Sequence, residues 1–197
     1  MENKDNTIVV KDAKRLVGRN INERFDGDLY REIAELITNS LDSYSRLKDF
    51  SGERIVRVEL HKPQRKNKEK YTIRVIDNAE GMSLETLTKI FSVRGEDNNQ
   101  GESFDRVRGM FGLGASDVMR VSAYQEKSAE YYSFRDGKAS GLRFNMDEDK
   151  TSTTITPFNI EKEEQIAGLR NKYGIPDNGT VAIFGIPDEV NIHSNFE

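Results

Sequence analysis

The sequence predicts an α+β two-layer sandwich, a mixed, mostly antiparallel sheet covered on one face by helices. Three observations predict it. Residues 28–49 carry apolar side chains at helical period, and two alternating stretches joined by a polar connector follow them. Residues 118–158 form a second β-rich region, broken by a turn signal at hairpin spacing. Further helical stretches flank these strands, and no repeat, low-complexity block or linker divides the chain.

Taken in order, residues 7–18 mix apolar and basic positions and fit more than one state. In residues 28–49, Ile33, Leu36, Ile37, Leu41, Tyr44 and Leu47 recur at the spacing of one helix face. Arg54 to Leu60 alternates through Val56, Val58 and Leu60 and reads as a strand. His61 to Lys70 is a basic, polar connector, read as a solvated hairpin loop, and Tyr71 to Ile76 is the returning strand. Ser83 caps a short helix with Glu85 in its first turn and Leu84, Leu87, Ile90 and Phe91 on its apolar face. Residues 92–108 hold loop formers and read as a mobile surface loop, and the glycine-rich stretch Gly109 to Gly114 leads into a helix start. Residues 118–158 read as several antiparallel strands, with Tyr131–Arg135 and Gly141–Met146 flanking the turn Asp136-Gly137. Glu161 to Tyr173 is a helix closed by Gly174, and Asp177-Asn178-Gly179 turns into a last strand, Thr180 to Gly185. The domain reading is an N-terminal segment at 1–27, a main domain at 28–190 and a tail at 191–197.

Composition excludes several chemistries. The 197 residues contain no cysteine, which removes disulfides, thiolate metal sites and cysteine nucleophiles. His61 and His193 are the only imidazoles, and both sit in polar stretches. Zinc hydrolysis and serine–histidine catalysis are therefore poorly supplied. A formal net charge of −4 gives no general footprint for nucleic acid. No apolar run reaches the ~20 residues that span a bilayer, so no membrane is expected. The polar start has no signal-like segment, and a reducing cytoplasm is the simplest setting.

Four stretches are able to carry chemistry. Glu35, Asn39 and Asp42 fall within an arc of roughly 60° at about 100° per residue, opposite the Ile33–Ile37–Tyr44 face. Such a line fits either a solvated polar face or a magnesium–nucleotide site, where a carboxylate handles water and an amide oxygen ligates a hard cation. Asp77-Asn78-Ala79-Glu80-Gly81-Met82 follows a strand. It is either an ordinary turn or a pocket in which Asp77 accepts from an amino group and Gly81 lets the backbone pass a flat ring. Gly109, Gly112 and Gly114 run into a helix, where backbone N–H groups either pack a tight turn or meet an anion. The spacing is neither a Walker A loop nor a Rossmann fingerprint. Thr180 opens the final strand.

Glu-x-x-x-Asn-x-x-Asp on a helix, Asp-Asn-x-x-Gly-Met after a strand, a polar loop, Gly-x-Phe-Gly-x-Gly and a late Gly-Thr occur in that order over residues 28–185. This order resembles the Bergerat-fold (GHKL) ATPases: gyrase B subunits, heat-shock chaperones of the ninety-kilodalton class, mismatch-repair ATPases and sensor histidine kinases. The resemblance implies ATP and Mg²⁺ as cofactors. It implies that Glu35 is the general base, Asn39 the magnesium ligand and Asp42 a support of the pocket. It further implies that Asp77 binds adenine, that Gly81 and Met82 line the base, and that residues 92–108 form an ATP lid. Gly109, Phe111, Gly112, Leu113 and Gly114 would meet the phosphates, and Thr180 would lie near the adenine. Two positions depart from the pattern: Ala79 replaces the first glycine after Asp77, where a methyl is either tolerated or narrows the pocket, and Ser43 follows Asp42. The resemblance implies slow, Mg-dependent ATP hydrolysis by one domain of a larger chaperone-, topoisomerase- or MORC-like protein. A C-terminal effector or transducer domain, or a partner subunit, would then supply a lysine to the γ-phosphate. An ATP-dependent homodimer is a further expectation. The alternatives are kinase-like phosphoryl transfer, a nucleotide-sensing regulatory module, and a nucleotide-free scaffold.

Overall fold

Turn chemistry and alternation build one sheet. The computed structural model describes residues 7–11, 29–47, 49–61, 71–92, 113–126, 128–148 and 152–186. Its strands are β1 (Ile8–Lys11), β2 (Val56–His61), β3 (Thr72–Asp77), β4 (Ser128–Arg135), β5 (Lys138–Met146), β6 (Ser152–Ile160) and β7 (Gly179–Gly185). Its helices are α1 (Leu29–Arg46), α2 (Leu84–Ser92), α3 (Leu113–Glu126) and α4 (Glu163–Tyr173). The strand order is β1-β6-β5-β4-β7-β3-β2. Every ladder among the described residues is antiparallel. The ambiguous N-terminal stretch supplies β1, which pairs with β6 at one edge.

The hairpin of β4 and β5 turns at Asp136 and Gly137, both left-handed at φ 51° and 77°. That is the geometry whose twist matches antiparallel strands, and Asp-Gly supplies it cheaply. The β7 strand then inserts between β4 and β3, so the final segment of the sheet lies at its centre.

The strand period of two sorts side chains onto two faces. On one face Ile73, Val75, Leu142, Phe144, Ala182 and Phe184 are buried beneath α1, α2 and α3. Leu142 and Phe144 are fully buried, worth about 1.5–3 kcal/mol each. Residues 118–126 belong to α3 and correct the strand expected there. Ala115, Val118, Met119, Ser122 and Ala123 are buried at three- and four-residue spacing, which overrides the local β signal of the neighbouring sequence. Ser122 also accepts the Gly185 N–H at 2.9 Å, tying α3 to the end of β7.

The opposite face carries Ile76, Phe134, Ala139 and Val181, and α4 covers them with Ile166 and Tyr173. The helical layer expected on one face is thus α1 to α3, and α4 is a separate cover on the other. Helix α4 ends at Gly174 in the left-handed region, φ 63°, with the Ile175 N–H returning to Arg170 O at 3.0 Å. No described helix is long and apolar enough to cross a membrane.

Candidate functional site

Strand β3 delivers Asp77 into the helical layer. Because Ile73 and Val75 face α1, Asp77 at the same parity does too, opposite Thr180 of β7. The carboxyl group is 4% exposed. Ser40 of α1 donates to its Oδ2 at 2.8 Å, and Thr180 donates to the same oxygen at 2.5 Å. The Ala79 N–H donates to Oδ1 at 3.0 Å. Burial pushes the Asp77 carboxyl above the ordinary aspartate range, and these donors pull it part of the way back. Tyr131 of β4 borders the same space. Burial and then the negative charge of Asp77 push its phenol up, against the opposing effect of the Thr180 hydroxyl.

The loop after β3 is held by close approaches that only glycine permits. A Cβ on Gly81, at φ 63°, would lie 2.0 Å from the Phe134 carbonyl oxygen. A Cβ on Gly179, at φ 154°, would lie 2.1 Å from the Asp77 carbonyl oxygen. Between these contacts, the Ser133 hydroxyl accepts the Met82 N–H at 2.6 Å and faces the Met82 carbonyl at 2.9 Å. On the other side, Asn78 donates to Glu53 O at 2.9 Å and accepts the Ile55 N–H at 2.9 Å. Tyr44 of α1 hydrogen-bonds the same Asn78 amide oxygen.

These elements border a small cleft that is partly open to solvent. Asn39, Asp77, Gly81, Met82 and Thr180 line it, so three sequence-separated motif segments come together. Ser40, Arg46 and Tyr131 also line it and were missed in the sequence, and Ser43, noted there only as a departure from the pattern, lines it as well. Ser40 had a readable signal, a polar residue on the apolar face of α1 between Leu36 and Tyr44. Arg46 donates from Nε to Glu80 Oε1 at 2.6 Å, an ion pair between α1 and the loop.

Glu35 and Asp42 sit half-buried on α1 and are not among the residues lining the cleft. Gly109, Phe111, Gly112 and nearly all of the lid expected at 92–108 lie outside the described residues. Leu113 and Gly114 open α3, and Ala115 in its first turn lines the cleft. The helix therefore begins beside the cleft, where its first N–H groups lack intrahelical partners. Ala79 is buried but does not line the cleft, and its backbone is not left-handed. A methyl group is accommodated there without narrowing the pocket.

The Asn39 Nδ2 is buried without a hydrogen-bond partner among the described residues, so one donor beside the cleft is left for an acceptor such as a phosphate oxygen. Among the described residues no three His, Asp or Glu side chains cluster. An ion here would draw on an amide oxygen, phosphates and water, as magnesium sites with nucleotides do.

No match to the chain is found among curated proteins. Residues 26–161 match the family described as "Histidine kinase-, DNA gyrase B-, and HSP90-like ATPase", a span that takes in α1 to α3, the Asp77 loop and β2 to β6. The motif order, the antiparallel sheet under three helices and this match agree that the chain belongs to the histidine kinase-, DNA gyrase B- and HSP90-like ATPase family.

Proposed function

We propose that the cleft binds ATP with Mg²⁺ and that the chain hydrolyses it slowly, as the nucleotide domain of a larger ATP-gated protein. One observation carries this reading: a buried Asp77 carboxyl in a cleft that also holds the unpartnered Asn39 Nδ2 and the start of α3. Asp77 accepts a hydrogen bond from the exocyclic amino group of the base. Gly81 and Met82 line the ring, and Thr180 fixes the carboxyl that reads it. The first N–H groups of α3 favour a phosphate by geometry and dipole.

Asn39 would hold the magnesium ion, which when bound neutralises phosphate charge. Glu35, one turn before Asn39 on α1, orients a water and takes its proton as the water oxygen attacks the γ-phosphorus, and ADP leaves. Asp42 supports this end of α1. Gly109, Phe111, Gly112, Leu113 and Gly114 extend the phosphate contact, and residues 92–108 close over it. Turnover is weak in the isolated domain because a C-terminal effector domain or partner subunit supplies the γ-phosphate lysine. ATP-dependent homodimerisation and a cytoplasmic setting belong to the same reading.

Calorimetric titration of the 197-residue protein with ATP, with and without Mg²⁺, tests binding directly. Asp77→Asn should weaken ATP binding by roughly ten- to hundredfold, the worth of one or two hydrogen bonds to a charged group. Unchanged affinity contradicts the base assignment. Glu35→Ala should bind ATP as the wild type does and lose turnover, whereas undiminished phosphate release removes Glu35 from the mechanism.

A further inference from the structure

The Asp77 carboxyl is held by an asymmetric set of donors. Its Oδ2 takes two hydroxyls from opposite sides, Ser40 of α1 at 2.8 Å and Thr180 of β7 at 2.5 Å. Its Oδ1 takes one N–H, that of Ala79 at 3.0 Å, and keeps acceptor capacity. The Ser40 hydroxyl has a second acceptor within reach, the Leu36 carbonyl one turn back at 3.2 Å. A hydroxyl has one proton to give, so Ser40 answers to the state of Asp77. When Asp77 is ionised, the Ser40 proton points at Oδ2. When Asp77 carries a proton on Oδ2, that proton points at Ser40 Oγ and the Ser40 proton turns to Leu36.

The geometry points to Ser40 as a positioning residue that keeps Asp77 an ionised acceptor and so makes the cleft prefer an amino-bearing purine over a keto-bearing one. This inference rests on the nucleotide reading above and adds a residue to it. The physical reason is the balance at Asp77. Burial favours the neutral acid, and Ser40 and Thr180 oppose that by donating to the charged form. Tyr44 from α1 and Tyr131 from β4 both sense the Asp77 charge, and neither is ionised at neutral pH. Arg46 and Glu80 at the rim are paired with each other. With Ser40 removed, the Thr180 hydroxyl and the Ala79 and Thr180 backbone N–H groups remain for a carboxyl that burial already pushes toward its neutral form. A neutral carboxyl donates, and it suits a 6-keto oxygen as well as an ionised one suits a 6-amino group. Ser40 is itself 5% exposed, so water does not replace its hydroxyl cheaply.

The test is calorimetric titration of wild type, Ser40→Ala and Ser40→Thr with ATP and with inosine triphosphate, whose base has a 6-keto oxygen and an N1–H where adenine has a 6-amino group and a bare N1. Wild type should prefer ATP. Ser40→Ala should shrink the ratio of the two affinities by about tenfold, mostly through weaker ATP binding. Ser40→Thr, which keeps a hydroxyl, should restore most of the ratio. Equal weakening of both ligands in Ser40→Ala would show a merely structural hydroxyl and overturn the proposal. A preserved ATP preference would overturn it as well while leaving the nucleotide reading intact. A wild type that binds neither triphosphate removes both.

Discussion

A carboxylate with 4% of its surface exposed costs free energy to keep charged, and Asp77 meets that cost with three donors from α1, β7 and its own loop. Its acidity is nevertheless weaker in the fold than the ordinary aspartate value of 3.8, because burial outweighs the donors. The linkage has a definite sign. A carboxyl whose folded value is raised contributes its full stability below pH 3.8 and loses it as the pH rises through the folded value. Wild type should therefore lose thermal stability relative to Asp77→Asn as the pH climbs from there toward neutrality. Thermal unfolding of both proteins across that range checks it, and a flat difference would show that Asp77 does not titrate in the fold. This residue is thus held in a state that the fold alone does not prefer, as groups kept for binding often are.

At the scale of elements, α1 is the part that joins fold to site. Its face toward the sheet carries Leu29, Ile33, Leu36 and Tyr44, and Ser40 stands among them. The Tyr44 hydroxyl accepts the Ile55 N–H at 2.9 Å and borders the Ile55 carbonyl and the Asn78 amide oxygen. That knot fixes the C-terminal half of α1 against the segment before β2 and the loop after β3. Tyr44→Phe keeps the ring and removes the shared hydroxyl, while the Ile55 N–H and carbonyl keep Asn78 as a partner, so it should cost about 1 kcal/mol in urea unfolding. It should also weaken nucleotide binding, because the α1 wall of the cleft then loses its register against Asp77. Helix α4 contributes differently. Arg57 of β2 hydrogen-bonds the Tyr173 carbonyl at its C-terminal end, so a cation meets the negative pole of the helix. The effect of α4 is on the sheet, on the face away from the cleft.

For the whole molecule, the sheet works as a plate with the binding cleft on the side of the larger core. Leu142 at the middle of β5 is fully buried in that core, three strands from Asp77 and paired across the ladder with Tyr131 of β4. Leu142→Ala should destabilise the protein by about 2–5 kcal/mol by denaturant titration. ATP at a hundredfold excess over its dissociation constant should return about 2.7 kcal/mol to wild type and variant alike, since the ligand acts on the folded state. If the variant stays folded and ATP fails to stabilise it, core packing and cleft are coupled more tightly than the plate arrangement implies.

The sequence by itself determined the elements whose signals are local. The Asp136-Gly137 turn, the Ser83 cap that accepts the Thr86 N–H at 3.2 Å, and the Gly174 helix stop depend on backbone chemistry within a few residues. It also determined the motif order, hence Asn39, Asp77, Gly81, Met82 and Thr180, all of which line one cleft. Residues 118–126 were not legible, because a short mixed apolar stretch fits strand and helix equally until its burial is known. Of the other cleft residues, Ser40 left a local trace on the apolar face of α1 and Ser43 stood beside the motif, whereas the places of Arg46 and Tyr131 were decided by tertiary structure alone. Their roles arise where β7 inserts between β3 and β4 and brings Thr180 to Asp77 under α1, a contact across 103 positions of sequence that no local pattern encodes.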